Sequence, residues 1–344
     1  MSTSTTTPPR PPRPPSGRIL DTRSARLRAQ LARHVQVIAI AAVLIALLIF
    51  FSVTADRFMT GGNLLNLLRQ IAPTLIVAVA MTFVITTAGI DLSVGSVVAL
   101  TGSLLAILLA KGVDPTLAFL AVLALGAVVG AVNGWFSSYQ GLPSFIVTLA
   151  TLSIIRGTAL RATEGYSTPI TTEAWVTELG QGRVLGVPIP AILAIVIALA
   201  GWFVLTRTPF GQYVVGLGSN AESLRRSGVD IRKVGLVVFV LTGVAAALAG
   251  VLIATRLASG SSNAGVGFEL EVITAVVLGG TSLFGGRGSM LGTILGALTL
   301  GVIANGLVLL HVSPFYVQIV QGSILLLAIF GNTKLWAKFG IAKK

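Results

Sequence analysis

TPFGQYVVGLGSNAESLRRSGVDIRKV, residues Thr208 to Val234, is the stretch on which the reading of this chain turns. It is polar and basic over about 27 residues, within a chain that is otherwise almost continuously apolar. Pro209 and Gly211 predict a turn at its start. Ser219-Asn220-Ala221-Glu222 then has the S-x-x-E spacing of a capping box, in which the serine hydroxyl and the glutamate carboxylate each satisfy a free backbone N–H. Gly228 stands where a left-handed cap ends such a helix. The segment therefore predicts one helix of about two turns, set off by glycines, on the water side of a membrane. Reversing a chain takes far fewer residues, so the segment is expected to hold another protein.

The membrane follows from composition. Of 344 residues 54% are hydrophobic and 10% charged, with a mean hydropathy of +0.92. Soluble chains average about 25% charged residues. The net charge is +13, and sixteen of the 24 Lys and Arg gather in three places. Arg10, Arg13, Arg18, Arg23, Arg26, Arg28 and Arg33 precede the first apolar run. Arg207, Arg225, Arg226, Arg232 and Lys233 lie in or beside the polar segment, and Lys334, Lys338, Lys343 and Lys344 close the chain. That is the positive-inside distribution and predicts that all three regions are cytoplasmic. Bases split among membrane-flanking sites without interleaved aromatics argue against nucleic acid. With no cysteine, disulfides and thiolate metal sites are excluded. His34 and His311 stand alone at span ends and read as interfacial residues, so no metal site is expected.

Residues 1–33, rich in Ser, Thr, Pro and Arg, read as a disordered cytoplasmic tail. Val53-Thr54-Ala55 loosely resembles a signal-peptide cleavage site. The leading region is too long, however, and Val35–Val53 is nearer a full span than a 7–15-residue signal core, so an uncleaved first span is expected. At about 20 apolar residues per crossing, spans fall near 35–53, 71–87, 94–110, 115–136, 145–160, 188–206, 234–254, 270–284, 289–310 and 313–331. The expected fold is an all-α integral membrane protein of about ten transmembrane helices with glycine-interrupted segments and both termini cytoplasmic. Its membrane domain covers 34–333, includes the 207–233 loop, and is followed by a basic tail at 334–344. This count places Asp56, Asp114, Glu164, Glu173, Glu178, Glu269 and Glu271 outside; 270–284 is the span most open to a re-entrant reading. The outer loop at 161–187 reads either as plain connecting structure or as a rim for an extracytoplasmic partner.

Catalytic signatures are missing. There is no G-x-x-x-x-G-K-[ST], so the chain has no loop of its own to cradle ATP phosphates, and neither H-E-x-x-H nor G-x-S-x-G occurs. A non-enzymatic chain without its own cofactor is expected. TTAGIDLSVGS (Thr86–Ser96) interrupts an apolar run and holds Asp91, the only acid well inside the expected membrane zone. An ionisable residue there is a functional candidate by default. It also reads as a cap accepting N–H bonds from Ser93 or Val94, a role compatible with lining a pathway. Leu278–Gly292 is a second glycine-rich break. Two such breaks point to a repeat with a central path, or to close helix packing through small residues. Asp91, Ser93, Asn133, Thr148, Arg156, Asn305 and Gln318 are candidates to line a polar path or to bond between helices, and snorkelling is a further reading of Arg156.

Gly89–Gly95 (GIDLSVG), Leu142–Gly157 (LPSFIVTLATLSIIRG), Gly216–Val234 and Gly267–Ala297, in this order, resemble the permease subunits of bacterial ATP-binding-cassette importers for monosaccharides. The likeness is to the ribose-type branch, which includes xylose and arabinose/galactose permeases, and covers about residues 35–331. It implies a homodimer in the bacterial inner membrane around a path for a ribose-type sugar. It also implies a cytoplasmic ATPase subunit, which binds the ATP, and an extracytoplasmic sugar-binding protein. By the same likeness Asn220, Ala221, Glu222, Ser223, Leu224, Arg225, Arg226, Ser227 and Gly228 form the helix that docks on the ATPase. Ala221 and Leu224, three apart on one face, are then expected to enter its groove, with Glu222, Arg225 and Arg226 at the rim. The competing expectation is an ion-coupled secondary sugar carrier with Asp91 as its ion site.

Overall fold

The computed structural model describes residues 22–171, 174–313 and parts of 315–330. The expected tail to residue 21 and the basic end at 334–344 lie outside the described residues. Helix α1 (Thr22–Thr54) already begins within the stretch expected as disordered.

Among the described residues the chain forms eleven continuous helices, and the described residues between 315 and 330 are largely helical as well. Their centre is α2 (Gly61–Thr86), buried continuously from Ile71 to Thr86, as befits a helix apolar on every side. Its first turn is polar and capped by Thr60, whose hydroxyl accepts the Asn63 N–H at 3.4 Å. That polar turn is why hydropathy placed the span's start near residue 71, ten residues late. The chain continues through α3 (Val94–Ala110), α4 (Pro115–Ser138), α5 (Ser144–Thr163), α6 (Trp175–Gln181) and α7 (Ile189–Arg207), of which α7 packs on α2. The polar segment forms α8 (Pro209–Arg226); α9 (Ile231–Arg256), α10 (Phe268–Leu278) and α11 (Met290–Leu309) complete the bundle.

Among the described residues seven helices are long and apolar enough to cross a membrane: α1 from Val37, α2, α4, α5, α7, α9 and α11. Helix α3 has 17 residues. The expected 270–284 crossing is a correction: α10 has 11 residues, about 16 Å at 1.5 Å per residue, half of a bilayer core of about 30 Å. It stops where Gly279 lies against the backbone of Gly292, too close for any side chain, and Gly280 turns left-handed at φ +91°. Gln318 and part of the last expected span lie outside the described residues.

The tightest helix pair is α4 against α9. Gly126, Gly130 and Gly134 repeat every fourth residue on one face of α4 and meet Gly243, Phe239–Val240 and Leu236 on antiparallel α9. A Cβ on Gly243 would overlap the Gly126 carbonyl. Gly243→Val is therefore expected to force the pair apart at about 1–3 kcal/mol. This should be read as a lower midpoint in thermal unfolding followed by size-exclusion chromatography. An unchanged midpoint would show that the contact can relax.

The loop expected at 161–187 is built of short strands and a helix over its described part. Strand β1 (Thr168–Pro169) pairs antiparallel with β4 (Ser259–Gly260), and β2 (Arg183–Val184) with β3 (Val187–Pro188) in a hairpin. Helix α6 buries Val176 and Gly180, the latter against Thr255 and Arg256 of α9. Leu185 at the hairpin tip is fully exposed.

Candidate functional site

The first break, between α2 and α3, is braced by its own Asp91 and Ser93 and by polar side chains from two helices, α4 and α5. Asp91 Oδ1 accepts the Ser93 N–H at 2.9 Å and its hydroxyl at 2.6 Å, the capping role that its spacing allows. Asn133 of α4 donates to Ser93 Oγ at 2.9 Å, and Thr151 of α5 donates to Asn133 Oδ1 at 2.7 Å. Ile90 is pinned at both backbone groups: its N–H donates to Ser144 Oγ and its carbonyl accepts from Thr148 Oγ1, each at 3.0 Å. Asp91, Ser93, Asn133 and Thr148 thus come together. None is more than 1% exposed, so within one chain they hold the break in shape rather than face open water.

The remaining two path candidates lie elsewhere. Arg156 donates to the carbonyls of Ser262 and Ala264, both at 2.8 Å, and to that of Gly265 at 3.3 Å. It is a clamp on the loop before α10 and does not snorkel. Asn305 forms a reciprocal amide pair with Asn63, at 2.9 and 3.0 Å, and so ties α11 to the start of α2. Interhelical bonding is the reading that holds for it.

Three details of the polar segment differ from expectation. Thr208 caps a helix in which Pro209 is the first residue, so the expected turn is a helix start. The helix bends at Asn220 (φ −162°, ψ 89°), and Asn220 rather than Ser219 caps the second half, its Oδ1 accepting the Ser223 N–H at 2.9 Å. Ser219 donates instead to the Val215 carbonyl at 2.8 Å, because it still belongs to the first helix. Glu222 turns outward to Arg225 at 2.8 Å and Arg226 at 2.9 Å; the bonds from Arg226 and Arg225 hold its carboxyl below the usual carboxylate range. Leu224 folds back on the first half, its Cδ1 lying 3.3 Å from where a Cβ on Gly216 would stand. Gly228 ends the segment as expected, at φ +83° with its N–H on the Arg225 carbonyl at 3.0 Å.

The bend rests on a junction. The Gly286 N–H, from the second break, donates to the Thr86 carbonyl at the first break at 2.8 Å. Gly218 lies flat against both partners of that bond, where a Cβ would overlap each. Ser219 Oγ reaches the Gly286 carbonyl at 3.4 Å, and Gly285 and Gly286 take left-handed φ of +77° and +74° to fit beneath it. The two breaks and the polar segment, far apart in sequence, meet at one point.

Sequence reasoning missed Glu271 and Arg256. Glu271 was counted as outside, yet its Oε1 accepts from Thr74 Oγ1 at 3.0 Å, halfway along α2. The available signal was a pair of acids opening an apolar run, the charge that favours a helix N-terminus.

A family model described as branched-chain amino acid transport system / permease component matches residues 63–329. The ribose import permease protein RbsC of Escherichia coli (strain K12) is 43% identical over 300 residues, covering 85% of this chain and 92% of that one. The D-allose transport system permease protein AlsC of the same strain is 38% identical over 291 residues, 84% and 88% of the two chains. Its xylose transport system permease protein XylH is 35% identical over 360 residues, 86% and 91%. No solved structure matches the chain.

Proposed function

The chain belongs to the branched-chain amino acid transport system / permease component family, and from that premise we propose that it is the membrane-spanning subunit of an ATP-driven importer for a ribose-type monosaccharide. The relatives named for ribose, allose and xylose support a sugar as cargo. The observation that carries the reading is the junction beneath α8. A segment whose Arg225 and Arg226 side chains are 65% and 78% exposed is wedged at its other end against both helix breaks. An ATPase that moved the exposed half would displace Gly218, and with it the ends of α2 and of the α10–α11 loop. The chain has no phosphate loop, so the ATP belongs to that partner.

In this reading α8 faces the cytoplasm, two copies of the chain enclose the path, and a sugar-binding protein docks on the opposite side. The exposed hairpin tip at Leu185 is a surface suited to that protein. The carrier alternative is disfavoured because Asp91 Oδ1 already takes both polar hydrogens of Ser93. Purified chain in liposomes is expected to move no sugar under an ion gradient, and to move it once ATPase, binding protein and ATP are present. Arg225→Glu with Arg226→Glu should weaken ATPase association by about tenfold or more in a pull-down, as loss of charged contacts costs at least ~1.4 kcal/mol. Uptake by the chain alone would favour the carrier. Leu224→Asp is the poorer probe, since it also opens the contact with Gly216.

A further inference from the structure

At the end of the bundle opposite α8, a cavity of about 540 Å³ lies between the end of α9, the loop 264–267 and the first turns of α10. Ile253, Arg256, Phe268, Glu271 and Thr274 are among its walls. The volume falls within the roughly 300–1,000 Å³ of small-molecule sites. Glu271 is anchored through one oxygen to Thr74 at 3.0 Å. Arg256 makes no hydrogen bond among the described residues, and no ion pair within 4.0 Å joins it to Glu271, although the two charges attract. Arg69, whose charge also reaches Arg256, donates away to the Gln181 carbonyl at 3.4 Å.

A purely structural pair would close, because charges withdrawn from water are costly unless they are paired. Here a guanidinium with unused donors and a carboxylate face one cavity without satisfying each other, while Ile253 and Phe268 supply an apolar wall. We propose that this cavity holds the transported monosaccharide, neighbouring hydroxyls accepting from Arg256 and donating to Glu271 while the C–H face of the ring lies on Phe268 and Ile253. The opposite charges of the pair suit a neutral polyol over an anion. The inference rests on the importer reading and adds to it the residues that grip the cargo.

The absence of cysteine makes a clean test. Leu257, on the cavity rim and 60% exposed, is replaced in a Leu257→Cys reporter within the assembled transporter. The rate of maleimide labelling is measured with D-ribose, D-allose and D-xylose in turn. The transported sugar is expected to slow labelling, and Glu271→Gln or Arg256→Lys to raise the sugar concentration needed by about tenfold, the scale of one hydrogen bond to a charged group. Uptake without protection, or protection equal in the variants, overturns the site and leaves the importer standing. If the assembled wild type moves none of the three sugars under ATP, the importer reading fails first, and the site with it.

Discussion

A Gly218→Val permease is expected to insert and to bind its ATPase, yet to move less than about a tenth of the wild-type sugar per ATP hydrolysed. The new side chain would occupy the space of the Thr86 carbonyl and the Gly286 N–H, which bond to each other at 2.8 Å. It must pry α8 off the junction or break that bond. Overpacking of this kind costs about 1–3 kcal/mol, and ~1.4 kcal/mol is already tenfold in an equilibrium between coupled and uncoupled arrangements. Uptake and hydrolysis measured in the same vesicles give the ratio, and elution as a single species gives the control for folding. A normal ratio would mean that the contact transmits nothing. The exposed face proposed for docking is untouched, so loss of ATPase association alone would also contradict the account.

Asp91 carries the second large effect. Asp91→Leu removes the acceptor for the Ser93 N–H and hydroxyl, both buried. Each orphaned donor costs about 1–3 kcal/mol, and the chain through Asn133 to Thr151 loses its end. Little folded protein and no uptake are expected. Asp91→Asn keeps an oxygen for the Ser93 N–H, since Asn caps about as well as Asp, and should retain most of the ATP-driven uptake. A charge essential for ion coupling would behave differently, with the Asn variant folding normally and transporting nothing. Uptake and yield measured together for the pair decide between brace and ion site.

Side-chain spacing made the brace half legible. The i, i+2 relation of Asp91 and Ser93 is local, so a cap was readable from seven residues. That Asn133 and Thr151 continue it was not, because nothing in a sequence says which polar face of one helix meets which of another. Arg156 and Asn305 illustrate the same limit: each was a polar residue in an apolar span, and only packing assigned one to a loop and the other to Asn63. The capping box failed for a local reason. Ser219 and Asn220 are both good caps, and the choice fell to Asn220 because Gly218 and Ser219 are held in the first helix by the Thr86–Gly286 junction.

By itself the sequence determined the solvent and the family, and it marked the polar segment that the proposed function gives to a partner. Those depend on composition, charge placement and short motifs, which need no knowledge of what lies across the fold. It also marked both breaks, because glycine clusters in apolar runs are visible without neighbours. Tertiary structure alone decided that the breaks and the polar segment meet, that α10 covers only half a bilayer, and that Glu271 lies halfway along α2 within reach of Arg256. The physical reason is common to all three. Glycine-to-backbone contacts and buried polar pairs are made between residues tens to hundreds of positions apart, and their energy exists only once the helices have packed.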